Sequence, residues 1–319
     1  MALILRERHV RALLHMPDTI AVLEKAFSAQ AHGTAINRPR SRLVLANGVL
    51  NILAAAAPTF GVLGYKSYTA FREGIRYVIM LFSSQDGQLL AIVEAAWLGA
   101  IRTGAASALA TQYMARSDAT IVGLIGAGKQ AATQLMGVCA VRPVTAIYVY
   151  SRRPRECRLF CREMTRLLNI NVKPVATAQQ AIEMADILIT ATTAQEPVVH
   201  GKWLKAGCHI NAIGSNWPHK RELDVAVLQR CALIATDSLE QAYNEAGDLI
   251  IPANDGLFDW NLVHELGEII TDEHLMRVLP DDITLYRGLG TALEDVTTAA
   301  HVYHLACQQG IGEEVDLLL

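Results

Sequence analysis

Six cysteines in 319 residues are far too few for a disulfide scaffold, and none of them (139, 157, 161, 208, 231, 307) belongs to a C-x-x-C pair. Reduced, mostly buried thiols are the expected state. Charge of one sign is lacking as well: 28 lysines and arginines against 31 aspartates and glutamates leave a net charge of −3. Without a basic excess, nucleic acid and anionic membrane surfaces are not expected partners. Long apolar runs are also missing. The most apolar window, residues 43–63, is broken by two asparagines, two glycines and a proline, whereas a spanning helix needs about 20 apolar residues in a row. The first fifteen residues carry three arginines and a glutamate instead of an unbroken hydrophobic stretch, so no secretory signal is expected. These absences point to a soluble, cytoplasmic protein. No G-x-S-x-G elbow, P-loop or H-E-x-x-H occurs. His301 and His304 share a helix face without a cysteine or carboxylate at ligand spacing, so no metal site is expected.

What is present is a large core. Hydrophobic residues make up 52% and charged residues 18%, which argues against disorder, and the length suits two domains. A helix is expected over about Asp18–His32, closed by Gly33. Residues 40–95 read as strands (SRLVL, VLNILAA, VLGYKSYTA, YVIMLFS, QLLAIVEA), the last two joined by a tight Gln85-Asp86-Gly87 turn. From Glu94 to Arg116 the pattern turns helical, and its small residues would let that helix lie close to its neighbours.

At Asp118 the rhythm changes to strand and helix in alternation. Strands are expected at 120–125, 146–150, 171–175, 186–193, 209–214 and 232–236, with helices after the first three. Such alternation predicts an α/β fold, a Rossmann doubly wound parallel sheet. A last helix, about Gly290–Gln308, follows the completed unit and is expected to return to the first domain. The expected organisation is a discontinuous α+β substrate and dimerisation domain, 1–116 with 290–319, and a dinucleotide-binding Rossmann domain over 117–289.

Gly126-x-Gly128-x-x-Ala131 follows a strand and opens a helix, the context that the dinucleotide fingerprint requires. The first glycine permits the turn, the second lets backbone approach a pyrophosphate, and the small third residue packs helix on strand. The next strand ends Tyr150-Ser151-Arg152-Arg153, with no acid to accept from a ribose 2′-hydroxyl. A hydroxyl and two guanidiniums suit a 2′-phosphate, so NADP(H) is favoured over NAD(H). Arg155, Arg158, Arg162 and Arg166 continue at helical spacing, and part of this arginine density reads equally as a solvated helix face.

The run YVIMLFSSQDGQLLAIVEAAWLGAIRTGAASALAT, followed by GLIGAGKQA, resembles the ornithine cyclodeaminase/mu-crystallin family. Pro39-Arg40, Gly64-Tyr65-Lys66, Gly214-Ser215-Asn216-Trp217-Pro218 with Glu222-Leu223, EAGDLIIP at 245–252 and TLYRGLGTALED at 284–295 extend the resemblance over nearly the whole chain. It implies a homodimer that pairs through the N-terminal domain. It also implies a substrate held by Arg40, Lys66 and Arg102, with Lys66 at the catalytic lysine position. Thr103, Lys129, Gln130, Thr192, Ile213, Gly214, Ser215 and Lys220 match cofactor contacts. Gly288 falls where the family usually has serine, and Asn216 where the cyclodeaminases have aspartate.

Elementary chemistry agrees with the basic set. Two guanidiniums can hold an amino-acid or imino-acid carboxylate, and Arg102, near a helix start, would also feel the dipole. Lys66 shares a strand face with Gly64 and Tyr68, and an ammonium on an inward face is costly unless used. The plainer readings are a surface lysine and structural arginines. The function expected is an NAD(P)-dependent oxidoreductase that reduces a small α-imino acid, or runs the reverse amino-acid dehydrogenation. The alternatives are an ornithine cyclodeaminase and a non-enzymatic, NADPH-dependent binding protein of the mu-crystallin type.

Overall fold

The computed structural model describes residues 2–275, 277 and 279–316. The chain divides into two compact units, Met1–Ala105 with Gly290–Leu319 and Ala106–Leu289. The division falls inside the helix Ala96–Met114, not after it at 116/117. Among the described residues, no helix is long and apolar enough to cross a membrane.

The first unit is built on a mixed sheet in the order Glu313–Val315, Ala2–Leu5, Leu89–Glu94, Gly74–Ser83, Val62–Phe71, Gly48–Ala57, Ile36–Asn37, with Ser41–Leu45 also pairing Gly48–Ala57. The pair Ala2–Leu5 and Glu313–Val315 at the edge has no signature in the sequence, because both strands are short and carry no alternation long enough to read. Two long helices, Met16–Ala31 and Ala292–Gln309, pack on each other, and the second also covers the central strands. In Val62–Phe71 the residues at 62, 64 and 66 are buried while 63 is exposed, which places Lys66 on the core face as its strand period requires. On the strands between 36 and 75, Ile36, Leu43, Val44, Leu45, Ile52, Leu63 and Ile75 remain exposed.

The second unit carries an eight-stranded sheet, every pairing of which is parallel. Its order is Asn171–Pro174, Ala146–Tyr150, Ile121–Ile125, Ile187–Thr190, His209–Ala212, Ile283–Arg287, Cys231–Thr236, Val263–Glu265. The expected Rossmann alternation is therefore present, with a correction. Two further strands exist, and Ile283–Arg287 inserts between the expected fifth and sixth instead of leaving them adjacent. All five of its residues are buried, so its burial does not alternate, and the polar Thr284 and Arg287 are buried with the rest. Both faces of the sheet are covered. Ile187 and Ile189 join one apolar cluster and Leu188 the other, as a parallel strand between two helical layers demands.

Candidate active site

In the second unit, the helix Lys129–Val141 begins directly after Gly128, which caps it without a side-chain hydrogen bond. No side chain therefore claims its first-turn N–H groups, the usual condition for holding an anion. Gly126 has φ +106, and a Cβ there would collide with the Ala191 carbonyl. At Gly128 a Cβ would meet nothing within 4 Å, so bare backbone lines an open cradle of the kind a pyrophosphate fills. Ala131 is wholly buried against the sheet. Gln130 Oε1 is buried and has no hydrogen-bond partner among the described residues. These features fit a dinucleotide, and its pyrophosphate would lie at the turn where the strand order reverses.

Beyond the neighbouring strand the expected arginines part company. Arg153 is exposed and paired with Glu156 at 3.1 Å. Arg152, also exposed, lines a cavity of about 490 Å³ together with Thr193, Ala194, Gln195, Glu196, Pro197 and Val198. Ser151 sits half-buried beside them.

The other expected cofactor residues of this unit gather at strand ends. Thr192 follows Ile187–Thr190, and Ile213, Gly214, Ser215 and Asn216 follow His209–Ala212. Lys220 places its ammonium 5.9 Å from the Trp217 ring centre. Gly288 is buried, and a Cβ there would press on the Tyr286 ring and Ile213. A side-chain contact at 288 is thus absent for a steric reason.

In the first unit, Arg40 precedes strand Ser41–Leu45, Lys66 lies on Val62–Phe71, and Arg102 and Thr103 are neighbours on helix Ala96–Met114, where Thr103 donates its hydroxyl to the Gly99 carbonyl at 2.7 Å. Lys66 Nζ donates to Asp295 Oδ1 at 3.0 Å. Arg102 Nε reaches the same oxygen at 2.9 Å, and its Nη1 reaches Glu294 Oε2 at 3.1 Å. Arg40 Nη2 donates to the Gly290 carbonyl at 3.1 Å. Lys66 is 3% exposed and Arg102 6%, with Glu294 and Asp295 no more than 1%. The small-residue helix has a specific use here: a Cβ at Gly99 would stand 3.2 Å from Lys66 Nζ.

Helix Ala292–Gln309 supplies both carboxylates from its first turn, where Thr291 caps it and Glu294 returns a bond to the Thr291 N–H at 2.8 Å. The sequence motif around 284–295 contained these acids, but nothing in it marked them as partners of Lys66 and Arg102. Two expectations change accordingly. Arg102 lies beyond the first turn of Ala96–Met114, outside the reach of the helix dipole. Two of its three guanidinium nitrogens are also committed to protein carboxylates.

Burial is the main force on Lys66 and pulls its ammonium from 10.5 down to about 8; Asp295 opposes the fall, while Arg102 and Arg40 deepen it. Burial works against the Arg102 charge too, but Asp295 and Glu294 more than reverse that and hold the guanidinium ionised. Tyr68 and Tyr77 pair across the strands, their ring centres 5.3 and 5.8 Å from Lys66 Nζ in the order Tyr77, Tyr68. Burial raises the Tyr77 phenol above its usual value. Arg40, Lys66 and Arg102 thus bring three basic side chains to two buried carboxylates.

Comparison with known proteins agrees with this chemistry. The sequence model of the ornithine cyclodeaminase/mu-crystallin family matches residues 2–310. A delta(1)-pyrroline-2-carboxylate reductase of Bacillus cereus is 32% identical, covering 98% of this chain and 99% of that protein. The Thermococcus litoralis enzyme of the same name, solved in complex with NADH and L-proline, superposes with a TM-score of 0.94 at 36% identity, covering 98% of this chain and all of that one. An archaeal alanine dehydrogenase, solved as a dimer with bound NAD, gives 0.93 at 30% identity and 99% coverage of both chains.

Proposed function

Because the chain belongs to the ornithine cyclodeaminase/mu-crystallin family, we propose that it is an NAD(P)-dependent oxidoreductase that reduces a small α-imino acid to the amino acid and runs the reverse dehydrogenation. The observation that carries this reading is the buried Lys66–Asp295–Arg102 cluster, in which an amine with a pKa of about 8 is held rigidly by a carboxylate. Reducing a C=N bond adds a hydride at carbon and a proton at nitrogen. Bound nicotinamide supplies the hydride.

The protein's own residues do the rest. Gly126, Gly128, Lys129, Gln130 and Ala131 would hold the pyrophosphate, and Thr192, Ile213, Gly214, Ser215 and Lys220 would hold the nicotinamide half. Arg40, with the donors that Arg102 has left, fixes the substrate carboxylate. Lys66 moves the proton, because a pKa near the working pH lets one group both give and take it. The Tyr68 and Tyr77 rings offer an apolar wall that suits a cyclic imino acid. The relatives named for pyrroline-2-carboxylate, and the one holding L-proline, support the same class.

A substrate screen tests this: NADPH and NADH oxidation with pyrroline-2-carboxylate, piperideine-2-carboxylate, and pyruvate with ammonia or methylamine. Steady turnover of at least one cyclic imino acid is expected. Ornithine should release no more than traces of ammonia, because Asn216 is neutral. An amide can hydrogen-bond a side-chain ammonium but cannot remove its proton to make it nucleophilic. Sustained ammonia and proline production from ornithine, without imine-dependent oxidation, would establish the cyclodeaminase reading instead. Tight cofactor binding with no turnover of any substrate would favour the binding-protein reading.

We propose further that NADP(H) is preferred, with Arg152 as the residue that grips the 2′-phosphate, since it lines the cavity while Arg153 is paired with Glu156 at the surface. Arg152→Ala should raise KM for NADPH and leave that for NADH nearly unchanged, and Arg153→Ala should do little. Equal kcat/KM for the two cofactors in the native protein would return both arginines to a solvated role. A homodimer completes the proposal. Its support is the exposed apolar set from Ile36 to Ile75, a pattern that marks interaction surfaces, and light scattering at twice the chain mass of 34.7 kDa would be its signature.

A further inference from the structure

Glu222 has no accessible surface, and its carboxylate is fully used. Oε1 accepts from the Thr192 N–H at 2.8 Å and the Thr192 hydroxyl at 2.7 Å. Oε2 accepts from the Thr190 hydroxyl at 2.8 Å and the Gly214 N–H at 2.9 Å. One side chain therefore joins the end of strand Ile187–Thr190 to the turn after His209–Ala212. Gly214 must be glycine for this, because a Cβ would fall on the carboxylate.

Glu222 is itself held from behind. Asp248 Oδ1 accepts from the N–H groups of Glu222 and Leu223 at 2.6 and 2.9 Å, and its Oδ2 accepts from Arg287 Nε at 2.8 Å. Arg287 then donates to the carbonyls of Ala212, Gly288 and Ser215. Three adjacent strands are thus locked together at their carboxyl ends by buried ions. In a doubly wound sheet, the strands after the reversal form the second mononucleotide-binding half, and the ligand lies beyond their carboxyl ends.

We propose that Glu222 is the positioning residue for the nicotinamide half of the bound dinucleotide: it clamps the Thr192 and Gly214 turns into one rigid surface without touching the cofactor itself. The proposal rests on the dinucleotide reading above. A carboxylate is required because two oxygens with about four lone-pair sites match four donors. Glutamine would turn an NH₂ group toward two of those donors and leave them unpaired in a dry site.

The test measures binding to the purified protein by calorimetry, with no turnover needed. The probes are NADPH, NADH and ADP-ribose, the last lacking the nicotinamide. Glu222→Gln should weaken both dinucleotides about tenfold or more, the effect of leaving two buried donors unpaired, while ADP-ribose changes less than about twofold. If Glu222→Gln does not fold, Thr190→Val removes one donor at nearly constant shape. It should show the same selectivity at about threefold to tenfold. Equal loss for dinucleotides and ADP-ribose means a general structural role and overturns the proposal, as does no loss for any probe. A native protein that binds neither dinucleotide overturns the cofactor reading and this proposal together, whereas unselective loss in a native binder overturns this proposal alone.

Discussion

Replacing Lys66 with alanine is expected to lower kcat by roughly 10²–10⁴-fold, the range for loss of a proton-transfer group, with KM changing far less. The fold should tolerate the change, since Asp295 keeps its bond to Arg102 Nε at 2.9 Å. The pH profile is the sharper test. The Lys66 ammonium titrates near 8, so if it donates the proton, the native reductive rate should fall as pH rises through about 8. The oxidative rate, which needs the free amine as base, should rise through the same range. Both limbs should vanish in Lys66→Ala. Steady-state kinetics in both directions would show this, and near-native turnover with an unchanged profile would remove Lys66 from the mechanism.

Arg102→Ala should act first on stability. The sequence alone suggests a guanidinium free for substrate, whose loss would raise KM. In the structure, Arg102 bridges Glu294 and Asp295, both almost fully buried, at 3.1 and 2.9 Å. Its removal takes from that pair the cation that bridges both carboxylates, while Lys66 keeps its bond to Asp295. Breaking a buried pair by deleting one partner typically costs about 3–5 kcal/mol, because a charge is left unpaired away from water. Thermal and urea unfolding should therefore show a large loss. Arg102→Lys should be intermediate, since a point charge cannot bridge two carboxylates as a planar fork does. Native stability combined with a raised KM would restore the substrate-only role.

The sequence by itself determined the parts of this protein that follow from local period and local chemistry. The turn from Gly126 to Ala131 was legible because strand, glycine spacing and helix lie within one short stretch, and Gly126 answers a steric need visible in the backbone. Lys66 could be placed on a core face because a strand repeats every two residues. The family resemblance, which the match over residues 2–310 bears out, suggested the remaining roles as expectations.

Tertiary structure alone decided the partners. Lys66 and Asp295 are 229 positions apart, and no periodicity in a strand or a helix links residues across such a distance. The same holds for Glu222, whose role exists only because two strand ends meet beside it. Ile283–Arg287 carries no strand signal of its own because both of its faces are covered, and Thr284 and Arg287 sit fully buried in it. A buried charge is affordable only when the folded chain brings its counter-charges and carbonyls to it. Those partners are a property of the packed molecule, and for that reason Asp295, Asp248 and Glu222 acquire their meaning only in the fold.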